Sequence, residues 1–97
     1  MIKVLKSEMI TQGPIVKRFE ENICSYTASN YSVLTNSATS ALHISCLALG
    51  LGNGDILWTS PNSYVASANV GLMCNAKVDF VDIDPESYNM CPIALSV

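Results

Sequence analysis

The stretch "VLTNSATSALHISCLALGLGNGD", Val33 to Asp55, decides the fold. Its β-branched start, within residues 31–35, reads as a short strand. An apolar segment follows that is long enough for a helix, closed by Gly50 as a C-cap. Between them lies Asn36-Ser37-Ala38-Thr39-Ser40, a run of small and hydroxylated side chains. A strand that becomes a helix at such a run has two explanations. A Ser or Thr caps the helix by accepting one of its unpaired amides. Alternatively, the helix start, with its four unpaired N–H groups and its positive dipole end, forms a cup for an anion such as a phosphate. Ser37, Thr39 and Ser40 would add hydroxyl donors to such a cup, and Ala38 would let the anion approach the backbone. Spacing alone leaves both explanations open.

Outward from this stretch, the pattern is α/β. "MIKVLKSE" has apolar residues at helical spacing and reads as the tail of a helix without its beginning, and Gly13-Pro14 stops one segment and starts another. Ile15, Val16, Phe19 and Ile23 share one face of a helix from Pro14 to about Ser25, with Lys17, Arg18, Glu20 and Glu21 on the other. After the central helix and the "GLGNGD" loop, "ILWTS" reads as a buried strand, with Trp58 in the core. "VASANVGLMCNA" reads as a mostly apolar helix and "KVDFVDI" as a strand. "DPESYN" reads as a turn, and "MCPIALSV" can open a helix at Pro92. Strand, helix, strand, helix, strand predicts a mainly parallel sheet with flanking helices. The central helix is apolar nearly all round, which predicts burial.

The chain has 97 residues and a formal charge of −3. Nucleic-acid surfaces need clustered Lys and Arg, so that class is excluded. Charged residues are 13% of the chain, against about 25% in ordinary soluble domains. Between Glu21 and Lys77 the only formal charge is Asp55. A surface so poor in charge is expected to be covered by more protein, either further chain or a partner subunit. No apolar run approaches the ~20 residues of a membrane span. The amino terminus lacks the pattern of a signal peptide. Cys24, Cys46, Cys74 and Cys91 show no CxxC spacing, which predicts reduced thiols in a cytoplasmic protein.

Other motifs carry less. "GLGNGD" contains a GxG, but it follows a helix, whereas a dinucleotide fingerprint follows a strand. His43 reads as packing. Asp79 and Asp82 fall on opposite faces of their strand, and Asp84-Pro85 starts a turn. No metal site is expected. Tyr64, in "SPNSYVASAN", lies just past a strand's carboxyl end, the edge where open α/β folds bind ligands. It either stacks on a flat ligand ring or packs over its loop.

Taken in series, "ITQGPIVKRFEENI", "VLTNSATSALHISCLALGLGNGD" and "TSPNSYVASANVGLMCNAKVDFVDIDPESYN" resemble the DegT/DnrJ/EryC1/StrS family of pyridoxal-phosphate-dependent nucleotide-sugar aminotransferases. The resemblance covers nearly the whole chain to Asn89. It implies residues 1–97 are an incomplete amino-terminal part of the cofactor-binding large domain of the aspartate aminotransferase fold, fold type I. It implies pyridoxal 5'-phosphate as cofactor, held at Ser37, Ala38 and Thr39, with Tyr64 against its ring. It places Glu8, Met9, Ile10 and Thr11, together with Ala38, along the nucleotide-sugar site. The implied reaction moves an amino group from a donor, typically glutamate, to a nucleotide-linked 4-keto-6-deoxy sugar. The substrate suggested by "NSATSAL" and "SPNSYVASAN" is a UDP-linked N-acetylhexosamine, for surface polysaccharide or nonulosonic acid synthesis. A homodimer is implied too. The Schiff-base lysine is expected beyond Val97, so no catalytic residue is assigned here and the chain by itself is expected to be inactive. The alternatives are a non-catalytic phosphate-binding module and a sugar dehydratase of the same family.

Overall fold

A computed structural model describes residues 1–96, and Val97 lies outside the described residues. The described residues form two compact units, Met1–Thr35 and the residues from Asn36 onward.

In the first unit, α1 is a single turn, Ile2–Leu5, and α2 runs Pro14–Thr27. Proline occupies the first turn of α2, where its missing N–H costs nothing, and Gly13 is the N-cap. The helix runs two residues beyond the expected Ser25. The Ser25 and Thr27 hydroxyls bond back to the carbonyls of Glu21 and Ile23, which carries the hydroxyl-rich end inside the helix. Ala28 then turns left-handed, φ 54, and ends it. The strand expected over residues 31–35 is absent: a strand is defined by a partner's ladder, and no described residue supplies one. The Leu34 N–H is satisfied instead by the Glu20 carboxylate at 2.7 Å.

In the second unit, α3 spans Ala38–Ala48, as the sequence predicts within a residue. Leu51 N–H bonds to Cys46 O and Gly50 N–H to Leu47 O, both at 3.0 Å, with Gly50 at φ +80. This is the Schellman ending, and a residue with a Cβ would be strained at Gly50. After the loop comes β1, Ile56–Thr59, then α4, Ala66–Met73, then β2, Lys77–Phe80. The strands are parallel, with Ile56 opposite Lys77 and Thr59 opposite Phe80. The crossover between them contains α4, which packs on both strands and on α3. A last turn of helix, α5, Pro92–Leu95, starts at the expected proline.

The core sits under α4: Ala66, Val70, Cys74, Ala76 and Val81 are buried. Gly71 faces the sheet so closely that a Cβ there would lie 2.7 Å from Val78 Cγ2 and 2.9 Å from Leu57 Cδ2. Successive strand residues point to opposite faces, so Leu57 and Val78 meet α4 while Ile56 and Trp58 face away. Two expectations fail here. Trp58 is 50% exposed, and α3 has no buried residue, because one helix and two strands cover only one face of each.

Candidate functional site

The start of α3 assigns the cap to one residue of the hydroxyl cluster. Ser37 is the N-cap, in extended conformation at φ −157, ψ 156, and its Oγ accepts the Ser40 N–H at 3.2 Å. The Ser37 and Ser40 hydroxyls bond to each other at 3.0 Å, and Ser40 Oγ donates to Asn36 Oδ1 at 3.0 Å. Three of the small polar side chains are thus spent on building the turn. What remains is the pair of amides at Ala38 and Thr39, together with the Thr39 hydroxyl. None of these has a hydrogen-bond partner among the described residues. The alternation is physical: one cap can satisfy only the amide three residues on, and the first two helical amides point out along the axis. They stand at the positive end of an 11-residue helix, in a segment with no carboxylate. Such an arrangement has the donors to bind an anion with at least two acceptor oxygens.

Tyr64 is 77% exposed and borders a recess of about 240 Å³ past the carboxyl ends of the two strands. Thr59, Ser60, Ser63, Ser67 and Phe80 line it as well. Ser60 Oγ accepts the Asn62 N–H at 3.2 Å, and the Ser63 and Ser67 hydroxyls pair at 3.2 Å, which shapes the loop. Sequence reasoning singled out Tyr64 and missed these serines, although the hydroxyl density of "TSPNSYVAS" signals them. The lining of this recess includes none of Asn36–Ser40, so Tyr64 and the helix start remain two separate features among the described residues. A larger hollow, about 440 Å³, lies beside the carboxyl end of α3 and the start of β1. Its one charged group, Asp55, already accepts the Gly52 N–H at 2.9 Å, and it offers no donor set for a ligand.

Glu8, Met9, Ile10 and Thr11 belong to the first unit, in the exposed loop between α1 and α2. Ser7 Oγ bonds to Val4 O at 2.7 Å and to Met9 O at 3.1 Å, and Gln12 takes φ 52 to bring the chain to Gly13. Met9 and Ile10 are 53% and 67% exposed. Asp84 organises the last turn: its Oδ1 accepts the Ser87 N–H, the Ser87 hydroxyl and the Glu86 N–H, which holds the carboxyl below its ordinary pKa. Among the described residues no group of His, Cys, Asp and Glu could hold a metal ion, and no helix is long and apolar enough to cross a membrane.

The profile of the DegT/DnrJ/EryC1/StrS aminotransferase family matches residues 1–96. UDP-4-amino-4,6-dideoxy-N-acetyl-beta-L-altrosamine transaminase of Campylobacter jejuni is 45% identical over 83 residues, which are 86% of this chain and 22% of that protein. UDP-2-acetamido-2-deoxy-3-oxo-D-glucuronate aminotransferase of Pseudomonas aeruginosa is 36% identical over 93% of this chain and 25% of its own. Among solved structures, a DegT DnrJ EryC1 StrS aminotransferase from Brucella abortus superposes with a TM-score of 0.89 at 29% identity, over 98% of this chain and 26% of that one. The chain therefore spans about a quarter of the length of the relatives it matches. Its α/β architecture, with a parallel sheet and flanking helices, is the one these enzymes share. By profile, sequence and fold together, the chain belongs to the DegT/DnrJ/EryC1/StrS aminotransferase family.

Proposed function

We propose that the chain supplies the phosphate-binding segment of a pyridoxal-phosphate-dependent sugar aminotransferase. The observation that carries this is the unspent pair of amides at Ala38 and Thr39, in a chain that belongs to an aminotransferase family. A Streptococcus pneumoniae protein described as a sugar aminotransferase in its PLP form superposes with a TM-score of 0.91 at 33% identity, over 97% of this chain and 24% of that one, which supports the cofactor. The residues fit a phosphate monoester: two N–H donors, one hydroxyl, the helix dipole, and no carboxylate in Asn36–Ser40.

In this reading Ala38 and Thr39 anchor the phosphate, and Ser37, with Ser40 and Asn36, fixes the turn that aims them. Tyr64 lies against the ring and shields one face from water. The bound cofactor supplies the electron sink for moving an amino group, and the protein supplies orientation and electrostatics. The family resemblance assigns Glu8, Met9, Ile10 and Thr11 to the sugar nucleotide. The substrate is a nucleotide-linked 4-keto-6-deoxy sugar, UDP-linked because the Campylobacter relative is named for a UDP-linked amino sugar, with glutamate as donor and a homodimer as the working form.

Residues 1–97 alone are expected not to transaminate. Lys77 starts β2, at the strand end away from the Tyr64 recess, and Lys3, Lys6 and Lys17 lie exposed in the other unit. A borohydride-reducible, site-specific lysine adduct on this polypeptide would contradict that. The cup itself is tested in the longest open reading frame that carries these residues. Pyridoxal phosphate and phosphate-free pyridoxal are titrated against the parent and against Thr39→Val. The hydroxyl's charge-assisted bond is worth about 1.5–3 kcal/mol, so the preference for the phosphorylated form falls about 10- to 150-fold. An unchanged preference removes the basis for the reading.

A further inference from the structure

The "GLGNGD" loop, Gly50 to Asp55, belongs to neither the helix start nor the Tyr64 recess. Asn53 and Gly54 are the tip of the turn between α3 and β1. The turn is pinned at its foot. Asp55 N–H donates to Gly52 O at 3.1 Å, and the Asp55 carboxylate accepts the Gly52 N–H at 2.9 Å. The tip is held by nothing. Neither the Asn53 side-chain amide nor the Gly54 N–H has a hydrogen-bond partner among the described residues, and both residues are exposed. Gly54 takes φ +99, which glycine adopts without strain, and a Cβ placed on it would meet nothing within 4 Å.

The amide of asparagine is a labile group. Its Cγ is one ring closure away from the main-chain nitrogen of the next residue. A side chain on that next residue hinders the closure, and so does a hydrogen bond that holds its N–H. Asn53 is the one asparagine of this sequence that precedes glycine. Asn22 and Asn69 lie inside α2 and α4, where the helix fixes the backbone. Asn36 Oδ1 accepts the Ser40 hydroxyl, and the N–H after Asn75 bonds to Gly71 O at 3.0 Å.

We propose that Asn53 is a site of spontaneous isoaspartate formation. The Gly54 nitrogen, having given its proton to solvent base, attacks Asn53 Cγ. The bond from Cγ to the side-chain nitrogen breaks, and ammonia leaves with a proton from solvent. Water then opens the succinimide. Opening at the main-chain carbonyl leaves Gly54 joined through Cγ, which is isoaspartate, and opening at Cγ leaves aspartate. The sum is amide plus water giving carboxylate plus ammonium, with no oxidant or reductant. Either product sets a new carboxylate two residues from Asp55. Isoaspartate also adds one carbon to the main chain inside the ring that the Asp55 N–H and Gly52 O close, so the foot of the turn is expected to open. The amino end of α3 lies about 16 Å away along its 11 residues, so the inference is independent of the phosphate cup.

The test incubates the native polypeptide carrying these residues at neutral and mildly alkaline pH, beside a free peptide of residues 49–57. Peptide mapping by mass spectrometry follows each asparagine, and methylation by an isoaspartyl carboxyl methyltransferase scores isoaspartate. Asn53 is expected to convert ahead of every other asparagine of the segment, faster at the higher pH, with isoaspartate the larger product. Asn53→Gln, whose longer side chain disfavours the ring, is expected to lose the isoaspartate signal. An Asn53 that stays an amide in the native polypeptide while the free peptide converts would show that the turn holds its tip closed, and would overturn the proposal. So would earlier conversion at another asparagine of the segment, or aspartate formed with no isoaspartate, which is direct hydrolysis.

Discussion

Ala38→Pro separates the anion-binding role of the α3 amino end from its structural role. Ala38 is the first helical residue, the position where proline is best tolerated. Proline restricts the residue before it to extended backbone, φ about −120 ± 40° and ψ about +120 to +160°. Ser37 already sits at φ −157, ψ 156. Ala38 is exposed, so the ring has room, and its N–H has no partner within the described residues to lose. The substitution therefore leaves the helix intact. Restriction of the unfolded chain contributes about 0.4–1 kcal/mol toward stability. Yet it deletes one of the two amides that would hold the phosphate. A hydrogen bond to a charged group is worth about 1.5–3 kcal/mol, which is about 10- to 150-fold in affinity. The assay pairs a thermal melt with absorbance titrations of pyridoxal phosphate and pyridoxal. The expected result is an equal or higher melting temperature, weaker binding of the phosphorylated form, and unchanged binding of pyridoxal. Ala38→Gly, which keeps the N–H, should bind like the parent. If Ala38→Pro folds and binds pyridoxal phosphate as tightly as Ala38→Gly, the amide does not face the phosphate and the cup reasoning is refuted.

Other outcomes follow from single contacts. Tyr64→Leu should weaken pyridoxal and pyridoxal phosphate alike, by about 2- to 12-fold for an aromatic contact of about 0.5–1.5 kcal/mol, leaving the preference between them unchanged in parallel titrations. Gly71→Ala would normally strengthen a helix by about 1 kcal/mol. Here the added methyl meets Val78 and Leu57, so overpacking should cost about 1–3 kcal/mol, seen as a lower urea midpoint. The Asp84 carboxyl is held low by the Ser87 N–H and hydroxyl and by the Glu86 N–H. A depressed folded pKa stabilises above the unfolded value and is lost as pH falls through the folded one. Proteolysis of the 84–91 turn should accordingly accelerate below about pH 4, and Asp84→Asn should flatten that dependence.

Much of the fold was legible because its punctuation is local. Pro14 and Pro92 start helices, Gly50 ends one, an apolar run marks the first strand and alternation marks the second. What failed depends on neighbours. Residues 31–35 have strand chemistry, but a ladder needs a second strand, and Glu20 took the Leu34 amide instead. Trp58 and α3 have core chemistry, but burial needs a covering layer that the described residues do not provide. At the candidate site, composition flagged the hydroxyl cluster, yet Ser37 and Thr39 were interchangeable on paper. Only the extended backbone at Ser37, with Ser40 three residues on, decides which one caps and which keeps its donors unspent.

The notch at Gly71 has a practical reach. Because α4 is seated on two aliphatic side chains, the base of the loop that carries Tyr64 is registered by the chassis, and its own hydroxyls shape only the loop above it. Ser60, Ser63 and Ser67 can therefore be rewritten as a library that reshapes the loop, much as interchangeable tool bits fit a fixed chuck, and an engineer could retune what the recess admits while the helix and sheet beneath stay still.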